Sequence, residues 1–419
     1  MKLLRIEMVY TYNESKKWVS ITGLCNNNCL FCLDRDRKDK YHKSYDEVIK
    51  TIDDGIKEGC QRLVLSGGEP TIHPDIVDFV KYGKEVGYKK IQIITNGRMF
   101  ASKKFSDKIV EAGLDEVTFS IHGHNAELHD SLTNVKGSFI QAIKGLLYLR
   151  KNTNLILNLD VCVNKLNYRF ILDILKFFVE KMAILEINFM NLVPFGNAWL
   201  NKDLLFYTYE EVLPFLRQSI DYSKHNNVYL WFSRFPSKYF ERYEQYIEDT
   251  NKLYDDLLGM GKDALVNKPC KGERCYFCGV QSVCNLFNQD NNIDYINNIE
   301  EDRLGISYSV GNRRCFSFFI DNNFCLDKDK LKVNLEIDWD SYDAISGIPF
   351  CFVPALYHDK LVNDIVYESL DFNKRAKEIS SKAKTKSLRC QDCKYNNVCD
   401  GVYVEYIRKF GFSRIKPII

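Results

Sequence analysis

Residues 18–195 alternate between strand-like and helix-like segments, and this alternation constrains the fold of the 419-residue chain more than any other feature. Strand-like apolar runs are predicted at 18–22, 62–66, 90–95, 116–121, 155–163 and 184–190. Helical segments are predicted between them, at about 44–59, 75–87, 102–113, 137–151 and 168–181. Each helix returns the chain to the same edge of the sheet, so such a repeat favours parallel strands. We therefore predict an α/β fold with six parallel strands.

The first predicted helix shows its starting point in the sequence. Apolar side chains recur at helical spacing from Tyr45 to Ile56. Ser44 stands just before them, and Glu47 follows three residues later, which is the pattern of a capping box. The helix is therefore predicted to begin directly after Ser44.

Three cysteines lie within eight residues just after the first predicted strand, in the spacing C-x3-C-x2-C: Cys25, Cys29 and Cys32. Iron–sulfur clusters are held by cysteine thiolates, and a [4Fe–4S] cube has four irons to ligate. Three thiolates leave one iron open, and an open coordination position distinguishes catalytic from structural metal sites. Zinc is the alternative, although zinc loops usually contribute cysteines as C-x2-C pairs.

A second motif, Ser66-Gly67-Gly68-Glu69-Pro70, follows the second predicted strand and by itself indicates only a turn. Together with the cysteine segment and its Phe31, it resembles the radical SAM superfamily. The resemblance implies an open (β/α)6 partial barrel of the TIM type. It also implies a [4Fe–4S] cluster on the three cysteines that cleaves S-adenosylmethionine (SAM) reductively. The products would be methionine and a 5′-deoxyadenosyl radical, which abstracts a hydrogen atom from a substrate.

The resemblance further implies which residues bind SAM. The Gly67-Gly68 turn resembles the one that binds the methionine part, where glycine lets backbone approach the ligand, and the Glu69 carboxylate is expected to face the ammonium group. Ser120 resembles a serine that binds the carboxylate of SAM, and residues 192–198 resemble a segment that packs on adenine. The implied cofactor-binding residues are Phe31, Gly67, Gly68, Glu69, Pro70, Asn96, Ser120, Asn158 and Val193.

Two further groups of side chains leave alternatives open. Asn158 and Asp160 alternate with leucines, so both are predicted to point into the barrel, either toward ribose or substrate or into structural hydrogen bonds. His122 stands where many relatives have an acidic residue. With His124 and His129 it raises the alternative of a metal site, but histidines on a turn are expected to be solvated.

The last third of the chain repeats one cysteine spacing, C-x2-C-x5-C. This resembles the SPASM extension of radical SAM enzymes, which carries auxiliary [4Fe–4S] clusters, although Tyr403 stands near the place where relatives have a further cysteine. The predicted ligands are Cys270, Cys275, Cys278 and Cys284 for one cluster, and Cys390, Cys393, Cys399 and one of Cys315, Cys325 or Cys351 for the other. One auxiliary cluster plus a zinc site is the alternative. Cys60 and Cys162 are expected to lie in the core.

Composition limits the class of protein. The net charge of +2 provides no electrostatic basis for binding nucleic acid or a membrane. No apolar run approaches the roughly 20 residues needed to cross a bilayer, and no secretory signal is recognisable, so we expect a cytoplasmic protein. In that setting fifteen cysteines indicate metal ligation rather than disulfides. The predicted domains are a radical SAM core (1–200), a linker or helical region (201–268) and a SPASM-like domain (269–419).

The resemblance implies a substrate class and partners. SPASM-type relatives most often modify a ribosomally synthesised peptide or a protein side chain, and a reductant such as flavodoxin or ferredoxin is an implied partner. Oxidation or epimerisation of a small molecule such as a sugar is the alternative within enzymes. A non-catalytic iron–sulfur electron-transfer scaffold is the alternative outside them.

Overall fold

The structure is a computed structural model that divides the chain into two units, Met1–Leu230 and Trp231–Ile419. It describes residues 15–36, 41–248, 252–254, 273–278, 296–302, 305–310, 313–318, 344–346, 383–412, 415 and 417–419. None of the helices in these ranges combines the length and the apolar character that crossing a bilayer requires.

The central feature of the first unit is a seven-stranded sheet with the strand order β1-β2-β3-β4-β5-β6-β7. Neighbouring strands from β1 to β6 run parallel. The prediction of an α/β fold with a parallel sheet is confirmed, and each of the six predicted strands is present within two residues of its predicted bounds. The strands are Lys16–Thr22 (β1), Arg62–Gly67 (β2), Lys90–Thr95 (β3), Glu116–Ser120 (β4), Ile156–Val163 (β5), Glu186–Asn191 (β6) and Tyr229–Ser233 (β7).

Nine helices in the described part of this unit connect or flank the strands. The capping box of α1 is confirmed, because the Ser44 hydroxyl accepts from the Glu47 N–H and the Glu47 carboxylate accepts from the Ser44 N–H. The helices are Tyr45–Lys57 (α1), Ile76–Glu85 (α2), Lys103–Glu111 (α3), Ala126–Thr133 (α4), Ser138–Asn152 (α5), Ile171–Lys176 (α6), Gly196–Leu200 (α7), Lys202–Leu205 (α8) and Tyr209–Asn226 (α9), and a π-helical turn, Phe177–Lys181, follows α6.

The strand β7 was not predicted, since the sequence after residue 200 showed no further β/α unit, whereas α9 falls within the region predicted as linker or helical (201–268). Strand β7 lies next to β6 in the sheet. The apolar stripe of α9 is hidden in the sequence because two of its five buried positions are Ser219 and Ser223. Both hydroxyls donate to carbonyls one helical turn earlier, which satisfies them inside the core.

The aromatic and basic segment after β7 falls within the region predicted as linker or helical (201–268). It forms two short 3-10 turns, Ser237–Phe240 and Glu244–Tyr246. Arg234 and Arg242 adopt left-handed backbone conformations, with φ of 64° and 75°. Such residues interrupt a helix, so the segment folds as turns.

The two faces of the sheet differ in chemistry. Leu63, Leu65 and Ile93 belong to a fully buried apolar face, and Gly83 of α2 packs directly against Leu63. Alternate residues point to the opposite face, where side chains hydrogen-bond across strands. We call this the polar face and define it by Ser20, Arg62, Ser66, Gln92, Glu116, Thr118, Ser120, Asn158, Asp160 and Asn188.

A buried ion pair occupies the amino-terminal end of the polar face. The Arg62 Nη1 and Glu116 Oε2 atoms lie 2.6 Å apart, and both side chains are less than a tenth exposed. The other Glu116 oxygen accepts from the Asn158 amide at 2.8 Å. The charges at this end of the sheet are therefore already paired.

The described parts of the second unit form two small sheets and two short helices. The sheet orders are β11-β10-β9-β8 and β12-β13. The elements are Glu273–Phe277 (α10), Ile296–Asp302 (β8), Gly305–Val310 (β9), Arg313–Phe318 (β10), Ala344–Ser346 (β11), Lys384–Thr385 (β12), Val402–Tyr403 (β13) and Val404–Phe410 (α11).

Asp130 joins α4 to the start of α5. Its carboxylate accepts from the Gly137 N–H at 2.6 Å, the Ser138 hydroxyl at 2.8 Å and the Phe139 N–H at 2.8 Å. Partial burial raises the pKa of Asp130, but these hydrogen bonds together lower it by more than burial raises it. The pKa of Asp130 therefore lies below its usual value.

We predict that Asp130→Ala lowers the free energy of unfolding by about 1–2 kcal/mol, because α5 loses its cap. Glu127→Ala, an exposed change on the same helix, is the matched control in denaturant titrations. Since the carboxylate is the bonded form, this contribution is present above about pH 4 and is lost as the pH falls through the lowered folded-state pKa. Equal effects of the two variants would contradict the capping role.

Candidate active site

The segment Cys25–Cys32, which we call the cysteine loop, leaves the carboxyl end of β1. Cys25 is exposed, Cys29 and Cys32 are half-buried, and all three are free thiols. In parallel α/β sheets, loops at this edge carry the reactive groups. The sequence-predicted ligands therefore lie together at the edge where ligands bind such folds.

Other parts of the first unit hold the backbone of the cysteine loop. The Asn28 and Leu30 N–H groups donate to the Thr133 and Leu132 carbonyls at the end of α4, at 3.0 and 2.9 Å. These backbone hydrogen bonds hold the middle of the loop and do not involve the cysteine side chains.

Helix α7 and the residue after it hold the second half of the loop. The Asn197 amide donates to the Cys29 carbonyl at 2.8 Å, and its backbone N–H donates to the Cys32 carbonyl at 2.8 Å. Asn201, one turn later, donates to the Leu30 carbonyl at 2.9 Å. Sequence analysis missed both asparagines, although their i, i+4 spacing indicates that they share one helix face.

The residues after β3 hold the first half of the loop. The Asn96 amide donates to the Asn26 side-chain oxygen at 2.6 Å and approaches the Cys25 sulfur at 3.9 Å. Arg98 donates through Nη1 to the Asn26 carbonyl and, at 3.0 Å, to the Asn27 side-chain oxygen. Asn96 was predicted as a site residue, whereas Arg98 was not.

The double glycine after β2 allows the turn to approach the cysteine loop. A Cβ on Gly67 would lie 2.3 Å from the Thr22 carbonyl oxygen, and one on Gly68 would lie 2.2 Å from that of Leu24. The Gly68 and Glu69 N–H groups donate to those same carbonyls at 2.7 and 2.8 Å. In this structure the absent side chains therefore make room for the chain itself, in addition to any ligand that sequence analysis considered.

The Glu69 carboxylate has partners that sequence analysis did not predict. Glu69 is 1% exposed and caps the short turn that begins at Pro70, where it accepts from the Thr71 N–H at 3.0 Å. It also accepts from the Thr95 hydroxyl and the Asn96 N–H, each at 2.6 Å. The carboxylate that is expected to face the SAM ammonium group also ties the end of β2 to the end of β3. Burial raises its pKa, although these hydrogen bonds oppose the rise.

The polar face continues to the carboxyl ends of β4, β5 and β6. Ser120 pairs in register with Asp160, and the Asn188 amide donates to Asp160 at 3.0 Å. The Asn158 amide nitrogen donates to Glu116, which agrees with the alternative of a structural hydrogen bond. Its buried side-chain oxygen has no hydrogen-bond partner among the described residues. Ser120 and Asp160 lie toward the same sheet edge as the cysteine loop, whereas Asn158 lies nearer the amino-terminal end.

Two of the three histidines are buried, which contradicts the expectation that they are solvated. His122 Nδ1 accepts from the Cys162 N–H and His129 Nδ1 accepts from the His122 N–H, both at 3.1 Å. Burial lowers the pKa of both rings, that of His129 to about 4, so both are neutral at pH 7. The His122 ring meets Phe31 edge-on, with ring centroids 4.7 Å apart.

An apolar cluster lies behind the cysteine loop. Leu192, Ala198 and Leu205 form its buried part, and Phe31 and the half-buried Cys162 pack against it. Val193, predicted to contact adenine, is 4% exposed in the same segment. The segment after β6 therefore lies against the cysteine loop.

The donor set fits an iron–sulfur cluster. Burial raises the pKa of Cys29, and the neighbouring Cys32 and Cys25 raise it further. The surrounding protein desolvates the Cys25 sulfur, although the residue as a whole is exposed, and together with the Glu69 carboxylate this raises its pKa to about 11. Such thiols become thiolates only when a metal compensates their charge. Among the described residues no three His, Cys, Asp or Glu side chains converge as a single metal ion requires. A cube places each thiolate on a different iron, and three cysteines in one loop are a donor set that such a cluster can use.

A second group of thiols lies in the second unit. Cys390, Cys393 and Cys399 line one pocket of about 370 Å³, which includes space open to solvent. The Ile418 N–H donates to the Cys393 sulfur at 3.4 Å. Tyr403, near the place of a further cysteine in relatives, is 5% exposed on β13.

The remaining predicted cluster ligands are described less fully. Cys278 is buried after α10. Cys275 belongs to α10 and Cys315 to β10. Cys270, Cys284, Cys325 and Cys351 lie outside the described residues.

Comparison with known proteins identifies residues 19–178 of the first unit. The family model of the radical SAM superfamily matches residues 19–178, which include the cysteine loop and the glycine turn. Residues 19–178 form a radical SAM domain.

Relatives of this radical SAM domain differ in their named activities. A probable GTP 3′,8-cyclase of Saccharolobus islandicus is 28% identical over 42% of this chain and 57% of its own length. An AdoMet-dependent heme synthase of Methanosarcina barkeri is 29% identical over 46% of this chain and 55% of its own length. The chain thus spans little more than half the length of these relatives.

Similar solved structures include SuiB of Streptococcus suis bound to the precursor peptide SuiA. It is 16% identical, with a TM-score of 0.48, and the match covers 66% of this chain and 74% of SuiB.

We predict that Glu69→Ala reduces cluster retention as well as SAM binding, because the carboxylate positions Asn96 against the cysteine loop. Each hydrogen bond to a charged group contributes about 1.5–3 kcal/mol, so the loss should be measurable in both readouts. Iron per chain after anaerobic reconstitution and SAM affinity are measured beside Glu111→Ala, an exposed control on α3. If Glu69→Ala keeps its full iron content and binds SAM more weakly, the result would contradict the effect on the cluster and would support a direct contact between Glu69 and the SAM ammonium group.

Proposed function

We propose that this chain is a radical SAM enzyme in which Cys25, Cys29 and Cys32 hold a [4Fe–4S] cluster with one iron left for SAM. The observation that supports this most strongly is the cysteine loop, whose backbone is bonded by α4, by α7 and by the residues after β3. When bound, the cluster supplies the electron that cleaves SAM to methionine and a 5′-deoxyadenosyl radical.

The chain's own residues position the reactants and exclude water. The glycine turn and Glu69 fix the carboxyl ends of β2 and β3 beside the loop. Ser120 and Asp160 offer a hydroxyl and a carboxylate on the polar face to the polar groups of SAM or substrate. Phe31 and the apolar cluster behind it shield one side of the site, which suits a primary carbon radical that reacts with any accessible group.

For the substrate, we propose a peptide or protein side chain. The support is the C-terminal cysteine repeat that resembles the SPASM extension, and the three thiols Cys390, Cys393 and Cys399 that line one pocket. Oxidation or epimerisation of a small molecule such as a sugar remains the alternative.

The charge of the polar face is less suited to a nucleoside triphosphate such as the GTP named for the cyclase relative. The carboxyl-terminal halves of β1–β6 contain no lysine or arginine within the described strands, while Asp160 places a carboxylate there. Lys16, Arg62 and Lys90 stand at the opposite ends of their strands. A triphosphate requires cations at its binding site, and Arg98, the cation described on the cysteine loop at this edge, is already bonded to the loop and to Gln141. Assays with GTP and SAM should therefore yield no cyclised nucleotide.

We predict that Cys25→Ala, Cys29→Ala and Cys32→Ala each abolish 5′-deoxyadenosine formation from SAM under dithionite. Each variant should also lose about four irons per chain, since one cube needs all three thiolates. Cys60→Ala, a half-buried cysteine distant from the loop in sequence, is the control and should keep both properties. Any loop variant that retains wild-type 5′-deoxyadenosine formation overturns the assignment.

For the second thiol group, we predict that Cys393→Ala binds about four fewer irons per chain than wild type. This variant should still cleave SAM but should form no product. The reasoning is that an auxiliary cluster that accepts the substrate's electron is needed after the radical forms, and not before. If the second cluster only stabilises the fold, Cys393→Ala should instead lower thermal stability and lose both activities together, since metal binding is coupled to folding. Three clusters would give about twelve irons per chain in the wild type. A content of about eight irons plus zinc would favour the alternative of one auxiliary cluster and a zinc site.

A further inference from the structure

Arg98 brings a charged side chain into the segment between Cys25 and Cys29. Its Nη1 atom donates both to the Asn26 carbonyl and to the Asn27 side-chain oxygen. The sequence motifs do not indicate that Arg98 contacts the cysteine loop. The contact is made from the 3-10 turn Arg98–Ala101, which directly follows β3.

The backbone that carries Arg98 is held tightly. Gly97 has a φ of 79°, and a Cβ there would lie 2.5 Å from the Phe119 ring. On the other side, a Cβ on Gly145 of α5 would lie 2.6 Å from Phe100 and 2.9 Å from the Gly97 carbonyl oxygen. The 3-10 turn is therefore packed between β4 and α5, and its position does not depend on the cysteine loop.

The Arg98 side chain is oriented at a second point. Its Nε atom donates to the Gln141 side-chain oxygen of α5 at 2.6 Å. With Nε engaged on α5 and Nη1 on the loop, the planar guanidinium bridges the two. A lysine could keep the charge, but its single ammonium group on a flexible stem could not reproduce the oriented bridge.

Arg98 places a cation on the segment of the loop that follows Cys25. A cluster on Cys25, Cys29 and Cys32 brings negative ligands together, and the Glu69 carboxylate is buried nearby, bonded to the same Asn96 that contacts Asn26. A cation fixed on the loop favours the state with the additional electron, by Coulomb attraction in a partly desolvated site.

We propose that Arg98 is a positioning residue for the cysteine loop and that its positive charge raises the reduction potential of the cluster on Cys25, Cys29 and Cys32. The inference rests on the proposed function for the existence of that cluster. It adds a determinant of how readily the cluster accepts one electron from an external one-electron reductant. Positioning and charge are separable, because Arg98→Lys changes the first and Arg98→Gln changes both.

The test is an anaerobic redox titration of the reconstituted full chain without SAM, followed by electron paramagnetic resonance. The signal that disappears in Cys25→Ala identifies the cluster concerned. Arg98→Gln should have a more negative potential than wild type, with a several-fold smaller reduced fraction at a fixed poise. Arg98→Lys should restore most of the potential, and Lys104→Gln, which removes an exposed charge on α3, should match wild type.

Iron release to a chelator tests the positioning part. Arg98→Gln and Arg98→Lys should both release iron faster than wild type. So should Gln141→Ala, which loses the orienting bond while the charge remains and therefore keeps the potential near that of wild type. If Arg98→Gln has the wild-type potential, the electrostatic part is overturned, and wild-type iron release in all three variants overturns the positioning part.

These results are separable from a failure of the proposed function. A wild-type protein that cleaves SAM while Arg98→Gln matches it in potential and iron release would retain the function and refute the inference. A Cys25-dependent cluster with the predicted Arg98 effects, in a protein that never cleaves SAM, would retain the inference and refute the function.

Discussion

The close approach of two backbones is the constraint on which the rest of the site depends. The Gly67-Gly68 turn reaches the end of β1 so closely that any side chain would collide with the Thr22 and Leu24 carbonyls. That contact sets the glycine turn beside the cysteine loop. Glu69 then extends the arrangement to β3 through the Asn96 N–H, and Asn96 returns to the loop at Asn26. The ends of three strands are thereby joined around the thiols.

The parallel sheet separates stability from chemistry. Its apolar face is fully buried at positions such as Leu63 and Leu65, and this burial is the main favourable term for folding. The polar face pairs its charges at the amino-terminal end, where Arg62 meets Glu116. At the carboxyl-terminal end Asp160, with Asn188 bonded to it, lies at the same sheet edge as the cysteine loop. This division leaves that edge suited to ligand binding.

Local signals predicted the elements well, and distant contacts explain most of the differences. The cap of α1 was predictable because Ser44 and Glu47 are three residues apart. Asn197 contacts the cysteine loop across 168 positions, so no spacing in the sequence indicates its role. The backbone contact of Gly67 could not be predicted for the same reason, since the carbonyl that requires a glycine there belongs to β1. The serines of α9 hid a buried face because hydroxyls that bond the preceding turn resemble a solvated surface in the sequence.

The central claim is that one iron of a cluster on the cysteine loop is left for SAM. Mössbauer spectroscopy of protein reconstituted with iron-57 tests this directly, by recording spectra before and after SAM is added. The account predicts that SAM changes the signal of a single iron site, and that this change is absent in Cys29→Ala while the remaining iron signals persist. Identical spectra with and without SAM in the wild-type protein would contradict it.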